Sequence, residues 1–289
     1  MLVSNLTATS ALLNTSVFTY DEVRATRLVA LSGIAYCCGT LGHGVRNWDC
    51  HACAGFAGVQ ASAFSSTGLY AQSGFVAYDP HDGPEGSLVV ALTGTDPLKI
   101  AEWIDDIDTV SVQYPACAGC KVHQGFYENY KSVHADMRVL IDGFAAEHPR
   151  APLWVTGHSL GAAVAYHAAV DLMQGAHARR LRGVYTYGQP RVGNSNFASW
   201  TAQLLGAVPV FRVTHRQDPV PHLPLEAMGF AHVPREVYYA GASKVGPAQG
   251  GAAISRQGGA AGAGRGWPRL GDIRHAMSME YTMGRQLWW

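Results

Sequence analysis

One serine in this chain stands where a nucleophile would be built. The run Leu153-Trp154-Val155-Thr156-Gly157-His158-Ser159-Leu160-Gly161-Ala162-Ala163 reads as an apolar strand, a G-x-S-x-G turn and the small-residue start of a helix. In such an elbow the serine takes a sharply turned position, and Gly157 and Gly161 leave room where a larger side chain would collide with the neighbouring strand or helix. The helix N-terminus brings partial positive charge and N–H groups close to the serine, so an anion forming there is stabilised. A serine hydroxyl is a poor nucleophile at neutral pH; it needs a neutral imidazole to take its proton and a carboxylate to orient that imidazole.

In this elbow architecture the partners follow in the order Ser, Asp or Glu, His. Asp218 is the predicted carboxylate, because Phe211-Arg212-Val213-Thr214-His215 reads as a strand and Asp218 lies in the loop leaving its C-terminal end. Of the 13 histidines only His222, His232 and His275 follow it. His222 is four residues on, in a loop stiffened by Pro221 and Pro224, which fits a structural hydrogen-bonding role. His232 precedes the strand Glu236-Val237-Tyr238-Tyr239 and reads as an internal structural residue, leaving His275 as the base. His158 is expected to point away from the elbow and pack. Of the two oxyanion donors, Leu160 supplies one N–H by geometry. Thr95 supplies the other, by its N–H and its hydroxyl, from the turn Leu92-Thr93-Gly94-Thr95-Asp96-Pro97.

These residues require a sheet that presents several strand ends together. Helical spacing over residues 20–35, after a cap at Thr19, predicts a helix; 64–65 and 74–79 read as strands, the latter ending in a turn at 80–86. The unbroken apolar run at 87–93 suits a central parallel strand. A long helix at 125–146 follows, then the elbow, then strands at 183–188 and 208–213. Strands alternating with helices predict an α/β, doubly wound parallel sheet in one domain over 1–289, with an N-terminal arm at 1–18. Residues 241–266, rich in Gly and Ala, read as a flexible excursion.

The 48% hydrophobic and 15% charged content permits a large core, and 21 basic against 21 acidic residues leave no field to capture nucleic acid. No transmembrane segment is expected, since even the helix after Ser159 is broken by His167 and Asp171. All six cysteines fall in the first half; Cys50/Cys53 and Cys117/Cys120 are expected as short-loop disulfides rather than zinc ligands. With sequons at Asn5 and Asn14 they suggest a secreted chain, although residues 1–13 lack the charged and apolar regions of a signal peptide, which is absent or already removed.

The chain resembles the fungal class 3 lipases. Five segments carry the resemblance in order: Val89-Val90-Ala91-Leu92-Thr93-Gly94-Thr95, Cys120-Lys121-Val122-His123-Gln124-Gly125-Phe126-Tyr127, the Ser159 elbow, Tyr185-Thr186-Tyr187-Gly188-Gln189-Pro190-Arg191-Val192-Gly193-Asn194 and Asp218-Pro219-Val220-Pro221-His222-Leu223-Pro224. It implies an α/β-hydrolase fold, a mostly parallel sheet flanked by helices with a short lid at 96–104. It also implies Ser159, Asp218 and His275 as triad and Thr95 and Leu160 as oxyanion donors. The implied activity is ester hydrolysis of acylglycerols by a monomer without metal or organic cofactor, the alternatives being a feruloyl or other soluble-ester esterase and an inactive lipid-binding homologue. Leu98, Ile100 and Trp103 in the lid stretch suggest an acyl chain as substrate. Three features depart from the pattern: Arg274 precedes the base where the family has Asp, the lid stretch reads longer than usual, and no cysteine after Cys120 is present to pair with Cys37 or Cys38. A histidine base must be neutral, so ester turnover is expected to fall in acid around the ordinary imidazole pKa of about 6.5; a pH–rate profile flat well below that region would exclude His275.

Overall fold

The computed structural model describes residues 18–39, 44–96, 99–107, 109–240 and 253–255. Asn5, Asn14, Leu98 and His275 lie outside the described residues, as does all of 241–266 except 253–255. The chain opens with α1 (Glu22–Ile34), whose N-terminus is capped by Asp21 and not by Thr19: Asp21 Oδ1 accepts the Arg24 N–H at 2.9 Å. Leu28, Leu31 and Ile34 face inward from α1, while ion pairs from Arg24 to Asp82 and from Arg27 to Asp79 fasten its outer flank. A 3₁₀ turn at Ala35–Gly39 continues it.

Strands β1 (Gln60–Ser65), β2 (Ser73–Asp79) and β3 (Ser87–Leu92) form an antiparallel meander. The elements that follow are α2 (Ile100–Asp106), the hairpin β4 (Ser111–Gln113) and β5 (Lys121–His123), and α3 (Gln124–Glu147). Then come β6 (Leu153–His158), α4 (Leu160–Gln174), β7 (Leu181–Tyr187), α5 (Ser195–Leu204), β8 (Val210–His215), β9 (Glu236–Tyr239) and β10 (Ala253–Ser255). The main sheet has the order β1-β2-β3-β6-β7-β8-β9-β10; β3, β6, β7, β8 and β9 run parallel, and β10 lies antiparallel on the edge. This is the expected α/β architecture, with the 87–93 run at its centre. Inside the predicted excursion, 253–255 pairs with β9.

The sheet buries both faces, which is why β3 is apolar throughout. Leu88, Val90 and Leu92 join α3, α4 and Phe197 of α5 in one core layer, whereas Val89 and Ala91 join α1 in the other. Two polar side chains of the sheet anchor the backbone of α1: Thr156 Oγ1 donates to the Leu28 carbonyl at 3.2 Å and the Tyr187 hydroxyl to that of Ala25 at 2.5 Å. The disulfides Cys50–Cys53 and Cys117–Cys120 are both formed. Among the described residues no helix is long and apolar enough to cross a membrane.

His167 on α4 is enclosed by the rings of Tyr127, Tyr130 and Phe197, and neither ring nitrogen has a hydrogen-bond partner among the described residues. Burial, assisted by His123, pushes its pKa down to about 3. The unfolded chain binds a proton that the folded chain refuses, so this residue withdraws stability as pH falls from about 6.5 toward 3. His167→Phe is expected to flatten the acid side of the stability profile, by roughly 1.4 kcal/mol for each pH unit below 6.5. Urea midpoints between pH 7 and 4 check this; an unchanged slope would show that His167 is not excluded from protonation.

Candidate active site

Ser159 links β6 to α4 without a loop, at φ 56° and ψ −126°, a left-handed φ that non-glycine residues rarely adopt. Such strain costs on the order of 1–3 kcal/mol and persists only where the surroundings over-determine it. Here the Ser159 N–H donates to the Tyr187 carbonyl at 2.9 Å and its own carbonyl accepts the Ala162 N–H at 3.0 Å. The helix lies so close to the sheet that a Cβ on Gly161 would strike the Leu92 carbonyl oxygen and stand 2.7 Å from the Thr93 carbonyl carbon. Gly157 faces the same crossing from the strand side, 2.9 Å from the Ala162 nitrogen by the same measure. Ser159 Oγ is buried and has no hydrogen-bond partner among the described residues.

The contact between Gly161 and Thr93 brings the end of β3 beside the elbow. Thr93 is tied on every side: its N–H donates to the Ser73 carbonyl at 3.0 Å, its hydroxyl donates to the Ala35 carbonyl at 2.8 Å, and its carbonyl accepts from Gln72 Nε2 at 2.7 Å. This rigid turn carries Thr95, whose Oγ1 is also buried without a partner among the described residues. Leu160 is the first residue of α4.

On the other side of the elbow, Asp218 sits in the turn that leaves β8. Its N–H donates to the His215 carbonyl at 3.1 Å and its Oδ1 accepts the Val220 N–H at 3.0 Å. Gly188, which ends β7 at φ 57°, makes room for the carboxylate: a Cβ there would stand 2.8 Å from Asp218 Oδ2 and 3.7 Å from His158 Nε2. Ser159, Leu160, Thr95 and Asp218 therefore gather at the C-terminal ends of parallel strands, where sites in such sheets belong.

His158 does not turn away to pack, as the sequence suggested. Its Nδ1 is 2.7 Å from the Tyr36 hydroxyl, which also hydrogen-bonds the Gly94 backbone, and its Nε2 faces the Gly188–Asp218 contact. Desolvation pushes its pKa down to about 4, so the ring is neutral above that pH. His232 is structural as expected, its Nε2 donating to the Pro221 carbonyl at 2.5 Å. The position of His275 lies outside the described residues. No group of three or more His, Cys, Asp or Glu among the described residues is arranged to hold a metal ion.

Residues 89–228 match the family described as lipase (class 3). The lipase of Rhizomucor miehei is 34% identical over 194 residues, 66% of this chain and 51% of that protein. The secreted mono- and diacylglycerol lipase 1 of Fusarium solani is 36% identical over 170 residues, 59% of this chain and 49% of that protein. A solved triacylglycerol lipase, whose catalytic centre is described as a serine protease triad, superposes with a TM-score of 0.67 at 31% identity, covering 76% of this chain and 80% of the other.

The chain belongs to the class 3 lipase family. It spans about half the length of the curated lipases it matches. The structure of a mutant MDLA from Penicillium cyclopium also matches, with a TM-score of 0.72 at 27% identity over 89% of this chain and 95% of the other. Two features of this lipase-family site were not anticipated from the sequence. Tyr36 comes from the distant 3₁₀ turn that follows α1, with no motif around it, and the role of Gly188 rests on a contact 30 positions away in sequence. The latter gives a direct test. Gly188→Ala adds a methyl into the carboxylate at a left-handed φ, and ester turnover is expected to fall about 10²-fold, the size typical of a small misplacement at a reacting centre, while circular dichroism stays native. Unchanged turnover would show that Asp218 is not held by this contact.

Proposed function

We propose that the chain is a carboxylic ester hydrolase, a lipase acting on acylglycerols through an acyl-enzyme. Ser159 is the observation that carries this reading: a serine in a left-handed elbow whose buried hydroxyl has no partner among the described residues. Thr95 on one side and Asp218 on the other support it, as does the triad described for the triacylglycerol lipase above.

In the proposed reaction Ser159 Oγ attacks the ester carbonyl carbon while its proton passes to His275, whose ring Asp218 orients. The negative charge moves to the carbonyl oxygen, held by the N–H groups of Leu160 and Thr95 and by the Thr95 hydroxyl. Collapse breaks the bond to the alcohol, which leaves with the proton from His275, and the acyl group remains on Ser159. Water, losing its proton to the same ring, then attacks the acyl carbon, releasing the carboxylic acid and restoring the serine. The steps use no metal or organic cofactor.

The lid is assigned to 96–104, most of it in α2, where Trp103 stacks near Phe126 at 6.3 Å. At seven residues this helix is short. Two disulfides and relatives named as secreted lipases support an extracellular enzyme acting on lipid or ester substrates. Ser159→Ala is expected to lower p-nitrophenyl butyrate turnover on the order of 10⁶-fold and to abolish fluorophosphonate labelling without unfolding the chain. Retained turnover would sink the assignment, and faster hydrolysis of methyl ferulate than of long-chain mono- and diacylglycerols would replace the lipase with a soluble-ester esterase.

A further inference from the structure

Beyond β7, residues 188–194 form a buried strap between two loops. On one side the Val192 carbonyl accepts the His123 N–H at 2.9 Å, and on the other the Ala231 N–H donates to the Gly193 carbonyl at 2.8 Å. Arg191 lies in the middle with its side chain only 9% exposed, an expensive place for a charge unless its donors are used. Nε has no partner among the described residues, and the two Nη groups are spent on one target. Nη1 donates to the carbonyls of His222 at 2.5 Å and Pro224 at 2.9 Å, and Nη2 to Glu226 Oε1 at 3.0 Å. The Arg191 backbone N–H adds a bond to the Leu223 carbonyl at 2.7 Å.

Every one of these acceptors belongs to the stretch that begins at Asp218. The 3₁₀ turn Val220–His222 joins the two: Val220 donates its N–H to the Asp218 carboxylate, and Leu223 donates its own to the Val220 carbonyl at 3.0 Å. Three residues before Arg191, Gly188 opens the space that the carboxylate occupies. A single strap thus shapes the seat of the carboxylate with one residue and bolts its loop with another.

We propose that Arg191 is a positioning residue for Asp218, holding the acid loop so that the carboxylate stays over Gly188. Nη1 serves the His222 and Pro224 carbonyls while Nη2 serves Glu226 Oε1, and a side chain with one donor nitrogen cannot hold all three from the fixed fork that a planar guanidinium presents. The inference rests on the ester-hydrolase reading, and its test separates the two. Arg191→Ala is expected to lower kcat for p-nitrophenyl butyrate about 10²-fold, with KM within about twofold. Added guanidinium, well below denaturing concentrations, should restore part of the loss. In an Asp218→Asn background the same substitution should change the rate of fluorophosphonate labelling of Ser159 by less than about threefold, since two residues acting through one step are not additive. Arg191→Lys, which keeps charge and bulk, should fold and lose about tenfold in kcat, providing the measurement if Arg191→Ala does not fold. A folded variant with wild-type kcat, or losses that multiply in the Asp218→Asn background, would overturn the proposal. Turnover that survives Ser159→Ala would instead overturn the hydrolase reading beneath it.

Discussion

Backbone contact between α4 and the end of β3 is the constraint on which the rest of this structure depends. Gly161 lies against the carbonyls of Leu92 and Thr93, which leaves no space for a connecting loop between β6 and α4. Ser159 must make the whole change of direction, and its left-handed φ follows. The strain is offset by what the close approach buries: Ala162, Ala163, Val164, Ala165 and Tyr166 are all removed from water, and apolar burial is worth about 25 cal/mol per Å². The same contact presses the Thr93–Thr95 turn against the elbow. The placement of Ser159 relative to the Thr93–Thr95 turn is therefore set by backbone packing, the least deformable part of the molecule.

The acid side obeys a different rule. Asp218 stands on a loop, and nothing in its local sequence forces one direction on it. Beyond its own turn, where the Val220 N–H meets it, its place is fixed by groups that reach in from elsewhere: the missing side chain of Gly188 and the buried donors of Arg191 and His232, which hold the carbonyls from Pro221 to Pro224. Arg191 and Arg212 are both buried, and burial pushes both guanidinium pKa values down while Glu226 and Glu236 push them back. A buried charge of this kind adds little net stability, but it gives the loop directional bonds that apolar packing cannot supply.

Elements whose burial pattern is periodic were legible in the sequence. The β3 run, the elbow, the long helix α3 and the alternation of strands with helices all correspond to what was expected, because a sheet covered on both faces writes its core directly into apolar runs. Ser159, Thr95 and Asp218 were readable for the same reason, each lying at the end of such a run. What escaped has short or distant determinants. Helix α5 is only ten residues long and the hairpin β4–β5 has strands of three, too brief for a pattern to emerge. The cap of α1 went to Asp21 rather than Thr19 because a helix start depends on one hydrogen bond. His158 was misjudged because its partner, Tyr36, lies 122 positions away.

That separation says something about how the site comes into being. Tyr36 reaches His158 only after α1 has docked on the sheet through Leu28, Leu31 and Ile34 and through the ion pairs to Asp79 and Asp82. Closing a longer loop loses more chain entropy, and contacts between distant segments slow folding. The sheet can assemble from neighbours such as β2 with β3, which pair across a short turn, well before the first helix finds its place. For this molecule a contact that completes the surroundings of the elbow is also among those that cost the most chain entropy to close.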